Sequence, residues 1–407
     1  MIRQIAPNLY SVGVVAGDLR VFHGHEMSTP RGTSFNSYLL VDEKETVLVD
    51  TVGEEYVSEL LDHIRAIVDP AKITAIVSNH AEPDHGGGLA DLKSLVPNAT
   101  IICSNRGAES IPGYHHRDWP LRVVKTGDTL DTGRTKLTFF MASMCHWPDS
   151  MMVHVGGPDV LLSNDAFGQH YGLPARYDDE DRSGQLWFEA EKYYANIIAP
   201  FGRNVLARLD EFAALGLPVN LIAPSHGLIW RRGIADILAA YRRWANYETA
   251  KRVVLAYDTM YESTRRLADA IADGLADEAV PFNRYHLAVS DRSDVLADIF
   301  GSRGLLLGSP TWQGACLPTV ASLLDSIKAL KFKNISVGAF GSYGWQKAAV
   351  QMIEQRAADA GLAVPLPGVA CPWRPRPADL EAARTFGRDF ARAVSVSSSP
   401  LSLDGRG

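Results

Sequence analysis

Four residues able to bind a metal lie within six positions of this 407-residue chain. The six positions are His80-Ala81-Glu82-Pro83-Asp84-His85. They follow an apolar run at 73–78 that predicts a buried strand, and the glycines at 86–88 let the backbone turn tightly after them. Because unpaired buried charges are costly, such a cluster indicates a metal site. The alternative is a polar loop with incidental histidines.

Three further segments bring a histidine or an aspartate to the end of a predicted strand. Apolar runs at 136–143, 160–163 and 220–224 each end close to such a residue. Ligands of open α/β sheets gather at the carboxyl ends of strands, so we expect these side chains to lie together. Seven ligands are too many for one four-coordinate ion, but they suit two ions about 3.5–4 Å apart that share one carboxylate. The candidate metal ligands are His80, Glu82, Asp84, His85, His146, Asp165 and His226.

The second part of the chain alternates apolar strands with helical patterns, which predicts a doubly wound parallel sheet. We place the domain boundary at about residue 250. Residues 1–250 then form a first domain, residues 251–395 a second, and residues 396–407 a disordered tail rich in Ser, Gly and Pro. Strands are predicted at 252–257, 282–287, 304–308, 334–340 and, more weakly, 363–369.

Loops at the ends of these strands predict a flavin site. The hydroxyl-rich loop at 259–264 opens a helix, which suits a phosphate, although a capped helix start is the alternative. It has no Lys and no GxxxxGK pattern, which disfavours a nucleoside triphosphate. The loops at 308–312 and 340–345 combine aromatic residues with glycines, as an isoalloxazine ring requires, with a core position as the alternative for Trp312. The candidate cofactor-binding residues are Thr259, Met260, Tyr261, Glu262, Ser263, Thr264, Ser309, Pro310, Thr311, Trp312, Gly341, Ser342, Tyr343, Gly344 and Trp345.

The metal-ligand pattern, H-x-E-x-D-H followed by His146, Asp165 and His226, resembles the diiron site of the flavodiiron proteins. The resemblance implies an α/β chain with an N-terminal metallo-β-lactamase-like αββα sandwich and a C-terminal flavodoxin-like domain that binds FMN. Relatives often carry an Asn pair where this chain has Gln313-Gly314, which leaves the local flavin contacts open. The resemblance implies one iron held by His80, Glu82 and His146, a second held by Asp84, His85 and His226, and Asp165 as the bridge.

The carboxylate of Glu82 bears on which metal is bound. Related hydrolases carry a histidine at this position, and a His-rich pair of sites suits zinc. An oxygen donor favours iron or manganese and stabilises a ferric ion. Two alternatives remain open from the sequence: a dinuclear zinc hydrolase with a flavodoxin-like accessory domain, and a non-enzymatic electron carrier or redox sensor.

The resemblance also implies an activity and partners. It implies an oxidoreductase that reduces dioxygen to water, nitric oxide to nitrous oxide, or both, with electrons passed through FMN to the two irons. An external electron donor such as a rubredoxin, a deazaflavin or a flavoprotein reductase is expected, as is a head-to-tail homodimer or a dimer of dimers. The net charge of −7 without a basic stripe disfavours nucleic acid, and no apolar stretch is long enough to span a membrane. We therefore expect a cytoplasmic protein.

Several other residues with reactive side chains need an interpretation. His25 and His170 are candidate catalytic residues near the metal site, with a surface position or a polar loop as the alternative. The histidines at 115–116 are expected at the surface. Asp50 is expected to cap a strand end, and Cys145 to be a small buried filler rather than a thiolate ligand.

Overall fold

The computed structural model describes residues 2–24 and 26–396. The chain divides into two compact units. The first contains the residues up to Tyr194 together with Phe201–Ala245, and the second contains Ala195–Pro200 together with the chain after Ala245. The boundary near residue 250 stays a prediction, and no sequence signal indicates that Ala195–Pro200 belongs to the second unit. The predicted tail at 396–407 lies outside the described residues, apart from the backbone of residue 396.

The strands of the first unit form two mixed sheets and two small ladders. The sheets have the orders β1-β2-β7-β8-β9-β10-β11 and β12-β13-β14-β15-β16, and the ladders are β3-β6 and β4-β5. The strands are β1 Arg3–Ala6, β2 Leu9–Ser11, β3 Val14–Ala16, β4 Val21–Phe22, β5 Met27–Ser28, β6 Thr33–Phe35, β7 Tyr38–Val41, β8 Thr46–Val49, β9 Ala75–Ser78, β10 Thr100–Ser104, β11 Leu121–Val124, β12 Thr129–Asp131, β13 Lys136–Met141, β14 Met151–Val155, β15 Val160–Asn164 and β16 Leu221–Pro224.

The two sheets pack face to face, with helices on their outer faces. Val49 and Val77 of the first sheet share a core with Phe139 and Leu162 of the second. The other face of the first sheet packs on α1 and α3, and the ring of Phe140 contacts that of Phe212 on α6. The predicted metallo-β-lactamase-like sandwich is confirmed. The helices are α1 Val57–Arg65, α2 Pro83–Gly86, α3 Leu89–Leu95, α4 Gly107–His115, α5 Leu186–Tyr193, α6 Gly202–Ala214 and α7 Ile234–Ala245.

The second unit is a five-stranded, wholly parallel sheet with the order β18-β17-β19-β20-β21. This order is that of a flavodoxin-like fold, whose ligand site lies at the carboxyl ends of the strands. The predicted doubly wound sheet is confirmed. Its elements are β17 Ala250–Tyr257, α8 Ser263–Asp277, β18 Phe282–His286, α9 Arg292–Phe300, β19 Ser302–Pro310, α10 Pro318–Ala329, β20 Ser336–Tyr343, α11 Ala349–Asp359, β21 Val369–Pro372 and α12 Pro377–Val396.

The last strand lies further along the chain than predicted. We predicted 363–369, but β21 begins at Val369, and Ala363 forms only an isolated bridge with Ser336. Pro365 and Pro367 have no backbone N–H to donate to a ladder, which explains why the pairing with β20 starts after them.

Candidate metal centre and flavin loops

All seven predicted metal ligands come together at one edge of the sandwich. Four of them follow β9, with His80 and Glu82 on the turn before α2 and Asp84 and His85 within α2, and two follow the ends of β15 and β16. His146 lies in the connection between β13 and β14. Two groups have ligand atoms within 4.8 Å of one another, His80, Glu82, His146 and Asp165 in the first and Asp84, His85 and His226 in the second.

Asp165 faces both groups with one carboxylate oxygen each. Its Oδ2 lies 3.1 Å from Nε2 of His146 and 3.6 Å from Nε2 of His80. Its Oδ1 lies 3.0 Å from Nε2 of His85 and 3.4 Å from Nε2 of His226. A carboxylate that presents separate oxygens to two sets of ligands has the geometry of a bridge between two ions.

Each group also has a carboxylate of its own. Glu82 Oε2 lies 3.1 Å from Nε2 of His80 and 3.4 Å from Nε2 of His146. Asp84 Oδ2 lies 3.3 Å from Nε2 of His85 and 3.2 Å from Nε2 of His226. Each position therefore offers two imidazole nitrogens, one carboxylate of its own and a share of Asp165.

Several ligand atoms are buried without a hydrogen bond. Asp84 Oδ1, His85 Nε2 and Asp165 Oδ1 have no hydrogen-bond partner, although their neighbours are close. Buried polar atoms are costly unless something binds them, so these atoms fit a cation held between them. The donor set of four imidazoles and three carboxylates suits two iron ions.

The charges of the site are strongly coupled. Burial raises the pKa of Glu82, but hydrogen bonds from His23 and His80 outweigh burial and hold that pKa below its ordinary value. Burial lowers the pKa of His226, yet the neighbouring carboxylates of Asp165 and Asp84 raise it to about 10. Without metal, a proton on His226 therefore balances the carboxylates, and metal binding must displace that proton.

The nitrogens that face away from the metal fix the ring orientations. Nδ1 of His80 donates to Asp149 Oδ1 at 3.0 Å, and Nδ1 of His226 donates to the backbone carbonyl of Ser34 at 2.7 Å. These bonds leave Nε2 of each ring free to bind a metal. Asp149 and Ser34 were not predicted. For Asp149 the available signal was a carboxylate three residues after His146, in a chain segment already assigned to the site.

The phosphate-loop residues lie between β17 and the start of α8. The hydroxyl oxygen of Thr259 is buried without a partner, which fits a bound phosphate. Glu262 has a left-handed backbone (φ +67°) immediately before Ser263 opens the helix, and Met260 and Tyr261 are exposed. Thr264 is buried, and its hydroxyl lies 3.1 Å from that of Ser342. This contact joins the start of α8 to the end of β20.

The two later loops present aromatic rings to solvent beside the phosphate loop. Trp312 is 44 % exposed and Trp345 is 91 % exposed, so the core alternative for Trp312 is wrong. Trp373, which was not predicted, follows β21, is 67 % exposed, and lies so close to Gly344 that a Cβ there would meet its ring at 3.3 Å. Exposed rings at the carboxyl end of a parallel sheet suit a flat, stacked cofactor.

Hydrogen bonds from backbone N–H groups to Thr311 and Ser309 fix the conformation of these loops. Thr311 Oγ1 accepts from the backbone N–H groups of Ala348 and Ala349, and Ser309 Oγ accepts from that of Leu317. The remaining predicted residues of these loops, Pro310, Gly341, Ser342, Tyr343 and Gly344, lie at the ends of β19 and β20 or just beyond. The unpartnered Thr259 hydroxyl and the exposed rings of Trp312 and Trp345 therefore suit FMN in their chemistry.

Comparisons with known proteins give the family. Residues 33–227 match the ODP family beta lactamase profile and residues 255–387 match the flavodoxin profile. A nitric oxide reductase of Moorella thermoacetica is 42 % identical over 96 % of this chain and 98 % of its own length. The chain belongs to the flavodiiron proteins. Among solved structures similar to this flavodiiron protein, rubredoxin oxygen:oxidoreductase from Desulfovibrio gigas has a TM-score of 0.94 at 33 % identity, covering 97 % of this chain and 99 % of its own.

Further relatives agree with this assignment. The anaerobic nitric oxide reductase flavorubredoxin of Pectobacterium carotovorum is 42 % identical over 96 % of this chain and 78 % of its own length. The flavodiiron protein from Giardia intestinalis has a TM-score of 0.93 at 30 % identity, covering 97 % of both chains. This flavodiiron protein is therefore an oxidoreductase, and the zinc-hydrolase alternative is not favoured. None of its helices within residues 2–24 and 26–396 is long and apolar enough to cross a membrane.

The candidate catalytic histidines have different outcomes. His25 lies outside the described residues. His170 is fully buried, with Nδ1 2.8 Å from the Thr33 hydroxyl and its ring centroid 4.9 Å from that of His226. Burial and the neighbouring His226 hold the pKa of His170 well below its ordinary value, so the imidazole is neutral.

The other reactive residues are structural, with one correction. Asp50 is buried and accepts from the backbone and side-chain amides of Asn79, as expected of a cap. Cys145 is a buried free thiol whose pKa burial raises to about 12, so it is not a thiolate at neutral pH. His115 was expected at the surface but is half-buried, because its ring contacts that of Trp119.

Removing the metals from this flavodiiron protein should destabilise the first unit. Ligands that bind only the folded state add stability by mass action, by about 4 kcal/mol at a thousandfold excess over Kd. We expect a chelator at neutral pH to lower the thermal midpoint by about 10 °C, measured by calorimetry. Readdition of ferrous iron should restore the midpoint, and an unchanged midpoint in metal-free protein would contradict the assignment.

Proposed function

We propose that this flavodiiron protein reduces nitric oxide to nitrous oxide, dioxygen to water, or both, with electrons passed through FMN to a diiron centre. The observation that carries this proposal is Asp165, which presents one oxygen to each of two otherwise matching groups of ligands. The proposed iron ligands are His80, Glu82 and His146 at one position, Asp84, His85 and His226 at the other, and Asp165 at both.

The chemistry divides between the cofactors and the chain. When bound, the two irons and FMN supply electrons and Lewis acidity to a small diatomic substrate. The chain holds the ligands rigidly, since His80, His85, Asp165 and His226 are all buried. Burial of these four side chains also strengthens the charge interactions among them.

A cavity of about 330 Å³ opens from the surface to Asp84, one of the proposed iron ligands. Phe22, Phe35 and Tyr114 line it, together with Glu54 and the ligand Asp84. Aromatic walls with carboxylates repel anions and accept small uncharged molecules, as both proposed gases are. We therefore assign this cavity to substrate entry.

Two histidines near this cavity contact the metal ligands. Nε2 of His23 lies 3.2 Å from Glu82 Oε1, so His23 orients that carboxylate. His170 packs its neutral ring against Phe22 and His226, and its Nε2 is buried without a hydrogen-bond partner. We propose that His170 offers this nitrogen to the substrate side of the pocket, and we keep His25 as a second candidate from the sequence.

Parallel assays with both gases test the proposed activity. Protein loaded with iron and FMN, reduced by one artificial donor, is expected to consume nitric oxide, dioxygen or both, with nitrous oxide or water as the product. Loss of both activities in metal-free protein, with restoration by iron, is the matched control. A fully loaded protein that consumes neither gas would contradict the proposal.

The oligomeric state, the electron donor and the cellular compartment are also proposed. We propose a head-to-tail homodimer or dimer of dimers, in which the flavin of one chain serves the irons of the other, and a rubredoxin, a deazaflavin or a flavoprotein reductase as donor. We propose a cytoplasmic location, which the four free cysteines support, since thiols stay reduced there. The test is dilution until light scattering shows a monomer, with the specific activity measured at each concentration. A specific activity that stays constant down to the monomer would contradict the dimer.

The phosphate loop gives a prediction for FMN. Ser263→Glu places a negative charge at the N-terminus of α8, where the phosphate is proposed to bind. We expect FMN to bind at least about tenfold more weakly, measured by fluorescence quenching on titration. Ser263→Ala, which adds no charge, should weaken binding less, and equal affinities for Ser263→Glu and the parent would contradict the phosphate assignment.

A further inference from the structure

The two metal positions have the same ligands but different support behind them. The His80 ring has the Asp149 carboxylate behind Nδ1, at 3.0 Å. The His226 ring has only the neutral backbone carbonyl of Ser34 behind Nδ1. Nδ1 of His85 is buried and has no hydrogen-bond partner. Among these three buried rings, only His80 has a carboxylate hydrogen-bonded to its Nδ1, since the buried Asp50 carboxylate interacts with the His85 ring without a hydrogen bond.

Asp149 is held so that its charge cannot turn away. It is 1 % exposed, and its second carboxylate oxygen, Oδ2, accepts the backbone N–H of Ala81 at 2.9 Å. Its backbone carbonyl accepts the hydroxyl of Ser104 at 2.8 Å. The carboxylate is thus a fixed negative charge aimed at one ligand.

We propose that Asp149 is a positioning residue that makes the two iron positions unequal. This inference rests on the proposed diiron function. An anionic acceptor on Nδ1 draws the ring proton toward itself and makes the opposite nitrogen, Nε2, a stronger donor. Each position has two imidazoles, one carboxylate of its own and a share of Asp165. These ligands therefore do not offset the stronger donation from His80. The iron beside His80 is held more tightly, and its ferric state is the more stable of the two.

Asp149→Asn tests this inference, because it keeps the shape of the side chain and removes the charge. In the iron-loaded full chain we expect the potential of the more easily oxidised iron to rise, measured by a redox titration followed by EPR. We expect one of the two irons to pass to a chelator about 10–100-fold faster than in the parent, with the other unchanged. Neither measurement depends on turnover.

Ser104→Ala is the structural control. It removes the hydroxyl that donates to the Asp149 carbonyl and leaves the carboxylate in place. We expect it to lower the thermal midpoint while both iron potentials stay at the parent values. If Asp149 served only to stabilise the fold, Ser104→Ala and Asp149→Asn would change the rate of iron release by similar amounts.

The outcomes separate this inference from the function on which it rests. If the parent shows no iron titration, the proposed function itself fails. If the parent titrates and Asp149→Asn keeps its potentials and release rates, the inference is overturned. If Asp149→Asn does not fold, Asp149→Glu decides: it keeps the charge but moves it, so a change in release confined to one iron supports the inference, and identical release of both irons overturns it.

Discussion

Asp165→Ala is expected to lose both irons while it keeps its full content of FMN. Asp165 is fully buried and approaches four histidines, two with each carboxylate oxygen. Its removal takes one oxygen donor from each position and also removes the charge that opposes the repulsion between two nearby cations. We expect turnover with either gas to fall by at least about 100-fold.

The measurement for Asp165→Ala is iron and flavin content of the purified protein, followed by turnover. Asp210→Ala is the matched control, since it removes an exposed carboxylate of α6 that pairs with Arg242 in the same unit. That control should keep both irons and its activity. Retention of two irons with parent turnover in Asp165→Ala would show that Asp165 does not bridge the metals.

Glu82→His is expected to exchange the metal and abolish the redox activity. Glu82 is the oxygen donor shared between His80 and His146, and it also accepts from His23. A histidine there makes three imidazoles at one position, a softer set that favours zinc over iron. Because zinc has no redox chemistry, we expect turnover to fall by at least about 100-fold.

Metal analysis after growth with equal iron and zinc distinguishes this exchange from simple loss of a ligand. Glu82→Gln keeps an oxygen without the charge, so we expect it to lose metal rather than to gain zinc. Glu82→His should contain zinc, with FMN unchanged. Iron in both positions of Glu82→His, together with parent turnover, would refute the argument that the carboxylate selects the metal.

The sequence predicts which side chains come together at the candidate metal centre because each lies at or near the end of a strongly apolar strand. His80 follows β9, Asp165 follows β15 and His226 follows β16. Parallel neighbours such as β15 and β16 end at the same edge of a sheet, so their chemistry is brought together by pairing alone. The doubly wound class of the second unit followed from its alternation of strand and helix, whereas the order of its strands in the sheet was not predicted. The sandwich of the first unit was expected from the family resemblance.

The rest depends on contacts between distant parts of the chain. The bond from His80 to Asp149 joins residues 69 positions apart, and the position of Asp149 three residues after His146 does not by itself predict that bond. His170 is buried because Phe22, Tyr193 and His226 surround its ring, although its own segment is polar. Trp373 was missed because β21 was placed too early, before the prolines that delay its pairing.

The central claim is that two irons occupy the two groups of ligands that Asp165 joins. The direct test is anomalous scattering at the iron edge from crystals of protein expressed with ample iron. We predict two iron peaks about 3.5–4 Å apart, one beside His80 and one beside His226. A single peak, or peaks away from these side chains, would contradict the account.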